Sequence, residues 1–177
     1  MNSDDTGRHL LQWCVPGQPV LQKRHRHTFR GTTWDPSSQT KEVFLQQSMQ
    51  LLPKGMAPLA CPLRMCLDFE FARPKSHLRK KGGLTKRAPK HHCQTPDADN
   101  LAKMIMDSLN GHVYVDDKQV CELNVRKRWT MQPQGCTRVT LYDASCCSCE
   151  DACAPEHPAK GIPAETPGGT TSSNPPM

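Results

Sequence analysis

TPDADNLAKMIMDSLNGHVYVDDKQV, residues 95–120, decides how the rest of the chain is read. Asp97 and Asp99 are two apart, which puts both carboxylates on one side of an extended segment. Asn100-Leu101 then opens a helical pattern in which Leu101, Met104, Ile105 and Leu109 share an apolar side. Asp99, Lys103 and Asp107 recur one turn apart on another face. Asn110-Gly111 stops the helix, since both residues tolerate the left-handed conformation common at helix ends. A short run, His112 to Val115, leads into Asp116-Asp117, and this order predicts a second pair of acids delivered back towards the first.

Mutually repelling carboxylates are seldom gathered without a cation, and all-oxygen donors suit hard ions such as Mg2+ or Mn2+. A plainer reading makes Asp99 a helix N-cap, Asp97 a partner of the helix dipole and Asp116-Asp117 a polar turn. Lys103, one turn beyond Asp99, adds weight to the metal reading, because phosphoryl chemistry needs a cation beside the phosphate as well as a metal. On residue types alone both readings stand.

The ordered set D-x-D-N-L-x-K, then D-x-L, then an acidic pair before Q-V, resembles the signature of the RusA family of Holliday junction resolvases. ARPKSH at 72–77 is similar to the family's strand end, and VPGQPVLQKRHR at 15–26 to its Gly-Pro and basic opening, so the resemblance spans residues 15–142. It implies metal-binding acids at Asp97, Asp99 and Asp117 and a catalytic lysine at Lys103, with Asn100 and Asp116 orienting those ligands. Ala98, Met104 and Met106 replace larger or branched residues, a matter of packing more than of chemistry. The fold implied is α+β, one domain over residues 10–143 with a mixed sheet flanked by helices. The activity implied is Mg2+-dependent (or Mn2+-dependent) paired nicking of four-way DNA junctions by a homodimer. A branched-DNA-binding protein that does not cut, and a general flap or single-strand nuclease, are the competing readings.

Composition agrees with a DNA partner. The chain has 177 residues, 36% of them hydrophobic, enough for one domain with a core. Its net charge of +6 is concentrated in RPKSHLRKKGGLTKRAPKHH, residues 73–92, which implies a polyanionic partner. Phosphate contacts are expected from Lys23, Arg24 and Arg26 near the start, and from Arg73, Lys75, Arg79, Lys80, Lys81, Lys86 and Arg87. The basic loop, at 72–94, has little apolar content and is expected to order on binding. His91-His92-Cys93 has no partner at ligand spacing and is not read as a zinc site.

Six of the ten cysteines are scattered singly at 14, 61, 66, 93, 121 and 136. That pattern, with no signal peptide, predicts free thiols in an intracellular, non-secreted protein. No run approaches the roughly 18 apolar residues of a membrane span. Strands are expected over Leu10–Val15, Leu59–Phe71, Cys121–Trp129 and Arg138–Tyr142, with a helix over Lys41–Leu52. Leu63, Met65, Leu67, Phe69 and Phe71 would form the core face of the second strand, with Asp68 and Glu70 facing solvent and Pro62 at an edge or bulge. Residues 144–177, rich in Cys, Pro and Ser, read as a disordered tail. Within it Cys146, Cys149, Cys153 and His157 have zinc-like spacing but no apolar flanks, so free thiols are favoured.

Overall fold

The alternating run at 63–71 forms the middle of a four-stranded sheet. The computed structural model describes residues 7–23, 26–27 and 33–145. In chain order it has β1 (Arg8–Pro16), β2 (Arg26–His27), β3 (Thr33–Trp34), α1 (Ser38–Leu51), β4 (Leu63–Ala72), α2 (Ala98–Leu109), β5 (Val120–Thr130) and β6 (Cys136–Asp143). Single 3-10 turns occupy Lys75–His77 and Asp117–Gln119.

The sheet order is β1-β6-β4-β5, and β2-β3 is a separate two-stranded ribbon. β6 runs antiparallel to both β1 and β4, while β4 and β5 are parallel. A parallel pair needs a long crossover, and here the basic segment and α2 supply it. This is the expected α+β fold with a mixed sheet.

Leu63, Met65, Leu67 and Phe69 of β4 are fully buried and share one core with Leu101, Ile105 and Leu109 of α2, Phe44 of α1, Val15 of β1 and Leu141 of β6. Burial of each large apolar side chain is worth about 1.5–3 kcal/mol, so the amphipathic face of α2 is a principal source of the energy that fixes it on the sheet.

Several local expectations change. α2 begins at Ala98, so Asp97 and not Asp99 is the N-cap. Its C-cap residue Asn110 is extended in ψ (φ −59, ψ 132), and of the Asn110-Gly111 pair Gly111 alone takes the left-handed backbone, at φ 74. α1 begins at Ser38 and buries Phe44 and Ser48, leaving Val43 and Leu51 exposed. β4 starts at Leu63 and is central, so Pro62 is not at a sheet edge; it directly precedes the register shift between Leu63 and Arg64 in the β4-β5 pair, the bulge that was the other expectation. Asp68 and Glu70 do not face open solvent: Arg126 reaches Asp68 at 3.4 Å and Arg128 reaches Glu70 at 3.0 Å across the β4-β5 pair. Among the described residues no helix is long and apolar enough to cross a membrane. The tail residues 146–177, including Cys146, Cys149, Cys153 and His157, lie outside the described residues.

Candidate active site

Asp97 has the extended backbone of an N-cap (φ −72, ψ 149), and its carbonyl accepts from Leu101 N at 3.1 Å, but its carboxylate makes no cap hydrogen bond. Asp99 follows in the first turn, where the helix dipole favours an acid. Lys103 is exposed one turn further along. Among the described residues none of these three side chains has a hydrogen-bond or ion-pair partner. The start of α2 thus carries two acids and a cation that the fold itself does not use, and because the helix already begins at Ala98, Asp97 and Asp99 are not on one side of an extended segment as expected. Asn100 is half-buried beside them, and its carbonyl accepts from Gln22 N at 3.3 Å.

The segment leading into Asp97 is tied to the sheet. Lys127 of β5 donates to the carbonyls of Gln94 at 2.7 Å and Pro96 at 2.5 Å. Trp129 donates through Nε1 to the His91 carbonyl at 3.1 Å. His92 is buried between Phe71 and Trp129, with ring centroids 4.0 Å and 4.3 Å away. Burial, with the nearby Lys127 charge adding to it, holds the His92 imidazole below its ordinary pKa and therefore neutral. The ring packs as part of the anchor between the segment and the sheet.

These anchors correct the picture of a basic loop that orders only on binding. Leu78 and Leu84 pair across a hairpin whose Gly82 and Gly83 both have positive φ. Arg73 points inward, donating to the Pro89 carbonyl at 2.9 Å and lying 5.8 Å from the Trp129 ring centre. Lys75, Arg79, Lys80, Lys81, Lys86 and Arg87 are exposed along the loop, and Lys23 is exposed at the end of the first segment. Arg24 and the side chain of Arg26 lie outside the described residues.

Asp116 and Asp117 sit in a second, separate place. Asp116 caps the 3-10 turn, accepting from Lys118 N at 3.0 Å while its own N–H donates to Gln119 Oε1 at 2.8 Å. The Lys118 backbone bond, chiefly, holds its carboxyl below the usual range. The Gln119 amide ties the turn to the carbonyls of Leu59 at 3.1 Å and Cys61 at 2.9 Å. Asp117 is left exposed on that turn, near the buried Tyr114. Tyr114 donates to the Met106 carbonyl at 2.9 Å, and burial first, then Asp117 and Asp107, pushes its phenol upward.

Asp117 therefore stands at the start of β5, whereas the Asp97 turn is held by Lys127 towards the other end. Seven residues of strand separate Val120 from Lys127, about 23 Å. The turn that carries Asp117 is thus set apart along β5 from the segment that leads into Asp97. Among the described residues no three His, Cys, Asp or Glu side chains are close enough to hold an ion.

Sequence reasoning placed Asp107 on an exposed charged face, but it is a structural hub. It accepts from Lys41 Nζ at 2.8 Å and Gln22 Nε2 at 2.9 Å, and Lys41 also reaches Asp35 at 2.8 Å. This cluster joins α1, α2 and the 19–23 segment. The available signal was Lys41 itself: a cation in the first turn of α1 opposes the helix dipole and calls for a carboxylate. Lys127 carried a similar signal, since it falls in the inward phase of β5 with Val125 and Trp129.

Residues 16–141 match the family model for Endodeoxyribonuclease RusA. An uncharacterized protein of Bacillus subtilis (strain 168), YqaN, is 28% identical over 129 residues, covering 70% of this chain and 91% of that protein.

Proposed function

The chain belongs to the RusA family of Holliday junction endodeoxyribonucleases, and on that premise we propose that it resolves four-way DNA junctions by metal-dependent paired nicking as a homodimer. The observation that carries the reading is the pair of unpartnered carboxylates, Asp97 and Asp99, at the start of α2 with Lys103 one turn away. Three carboxylates, with Asp117 the third, form the hard oxygen donor set that suits Mg2+ or Mn2+. Such an ion, when bound, polarises the scissile phosphate and lowers the pKa of an attacking water. Lys103 places its ammonium beside the charge that grows on the phosphate or on the departing oxygen. Asp116 fixes the turn that presents Asp117, and Asn100 steadies the first turn of α2.

Because Asp117 and the Asp97–Asp99 pair lie at opposite ends of β5, an ion held by all three has to be shared by two chains. A two-fold dimer supplies that arrangement twice, in keeping with the approximate two-fold symmetry of a four-way junction. The exposed lysines and arginines of the 75–87 hairpin neutralise phosphates on the junction arms.

The deciding experiment is cleavage of a synthetic four-way junction, each strand labelled in turn, with and without Mg2+, beside duplex, flap and single-stranded controls. Paired symmetrical nicks that require the metal and spare the duplex establish the resolvase. Binding without nicks replaces it with a junction-binding protein, and cutting of every substrate replaces it with a general nuclease.

A further inference from the structure

We propose that Lys127 is the residue that positions Asp97 for the reaction, a role that rests on the reading of Asp97 as a reactive acid. Lys127 is opposite Phe69 in the β4-β5 pair and is flanked in the inward phase by the half-buried Val125 and Trp129. Among the described residues its ammonium meets no carboxylate. It is directed instead at two main-chain carbonyls, Gln94 at 2.7 Å and Pro96 at 2.5 Å, the second directly before Asp97.

Hydrogen bonds from a charged donor are roughly twice as strong as neutral ones, and here two converge on three residues of chain. Among the described residues no other hydrogen bond reaches the backbone of residues 93–96. Among the described residues Lys127 is therefore the one polar tether from β5 to residues 93–96, the Trp129 bond falling further back, at His91. On the far side of Asp97 the helix holds it by one backbone bond, Leu101 N to the Asp97 carbonyl at 3.1 Å, while the N–H groups of the first turn lack intrahelical partners. Asp97 cannot steady itself, because its carboxylate makes no cap bond. Its placement is handed to the lysine thirty residues later in the chain.

The same geometry argues that Lys127 is not a phosphate contact. Two of its three donors are occupied, and the side chain is folded back beneath the 94–96 turn. An arginine at this position reaches the same carbonyls with a planar fork in place of a point charge, so it restores the tether imperfectly. A methionine fills a similar volume and has no donor.

The test uses the full-length chain with Lys127→Met and Lys127→Arg. Three quantities are read: single-turnover junction cleavage at saturating enzyme and Mg2+, junction affinity in EDTA, and amide hydrogen exchange of residues 94–100. The methionine variant is expected to lose about 100-fold in cleavage rate, the cost of a small misplacement of a reacting group. Its junction affinity is unchanged, exchange at 94–100 is faster and exchange in β4 is unaltered. The arginine variant recovers part of both the rate and the protection.

A rate loss matched by an equal loss of affinity overturns the proposal in favour of a DNA contact, and so does wild-type exchange at 94–100 in the methionine variant. Should methionine loosen β4 as well, the arginine variant decides. Protection of 94–100 with partial activity supports the tether, and exchange as fast as in the methionine variant overturns it. The exchange readout also separates this proposal from the one beneath it. Faster exchange in a protein whose wild type never nicks a junction discards the nuclease reading and leaves the hold of Lys127 on the 94–97 segment standing.

Discussion

Asp97 and Lys41 show how differently two ionisable residues near α2 are used. The Asp97 carboxylate has nothing in the fold to lose, so Asp97→Asn is expected to abolish metal-dependent cleavage while leaving junction binding equal or tighter, since a charge that repels DNA is gone. Gel-shift and cleavage assays on the same preparation check this; loss of binding and folding together would falsify the ligand role. Lys41 is the reverse case, with both carboxylates of its cluster within 2.8 Å and its side chain 17% exposed. Burial alone would lower its pKa, but the hydrogen bonds and charges of Asp107 and Asp35 outweigh that and raise it. Its stabilising contribution is therefore fully present below the ordinary lysine pKa and is lost as pH rises through the folded value. Removing one partner of a buried pair costs 3–5 kcal/mol, so for this partly open cluster Lys41→Met should cost about 2 kcal/mol. Urea unfolding at neutral pH reads that loss, and the gap between wild type and variant should close in strong alkali. Asp97 and Lys103 were legible because their neighbours are local in sequence. The bond between Lys41 and Asp107 spans 66 residues, and helical spacing says nothing about such a partner.

At the level of elements, β4 was the most legible because five apolar residues in strict alternation have one physical solution, a strand with one face in the core. The start of α2 was read two residues late: Ala98 and Asp99 carry no apolar period, and only tertiary contact reveals that they are already helical. The basic segment at 72–94 was misread for a related reason. Its own composition offers no core, but Phe71 and Trp129, on neighbouring strands, provide one for His92. That dependence gives the element a pH response. Because His92 has a lowered pKa in the folded chain, its anchoring is intact above the ordinary histidine value and weakens as pH falls through it towards the folded one, since the released segment binds the proton more readily. Once the fall of the intrinsic exchange rate with pH is divided out, the protection of amides in residues 85–94 is expected to drop on acidification in the wild type. His92→Phe keeps the ring stack without a titrating group and should flatten that profile; the same acid response in the variant would assign it to another group.

For the whole molecule, the separation of Asp117 from Asp97 along β5 makes the proposed shared site testable. If each site takes Asp97 and Asp99 from one chain and Asp117 from the other, then Asp97→Asn and Asp117→Asn homodimers are both inactive, every site in each lacking one acid. A mixed dimer behaves differently. One of its sites collects both substitutions, and the other collects none, because the chain with the intact Asp97 faces the chain with the intact Asp117. Co-expressing the two variants under different affinity tags and purifying through both isolates that mixed species. It is expected to nick a labelled junction at wild-type positions on one strand per binding event, giving single nicks in place of paired ones. Were the acids gathered within one chain, each site of the mixed dimer would still lack an acid, and it would be as inactive as its parents. The count of nicks carries further information, since a junction released after one nick shows that the second cut depends on the first dimer staying in place. On the expected outcome, the proposed two-fold dimer owes paired cleavage of its two-fold substrate to the same interface that completes each site.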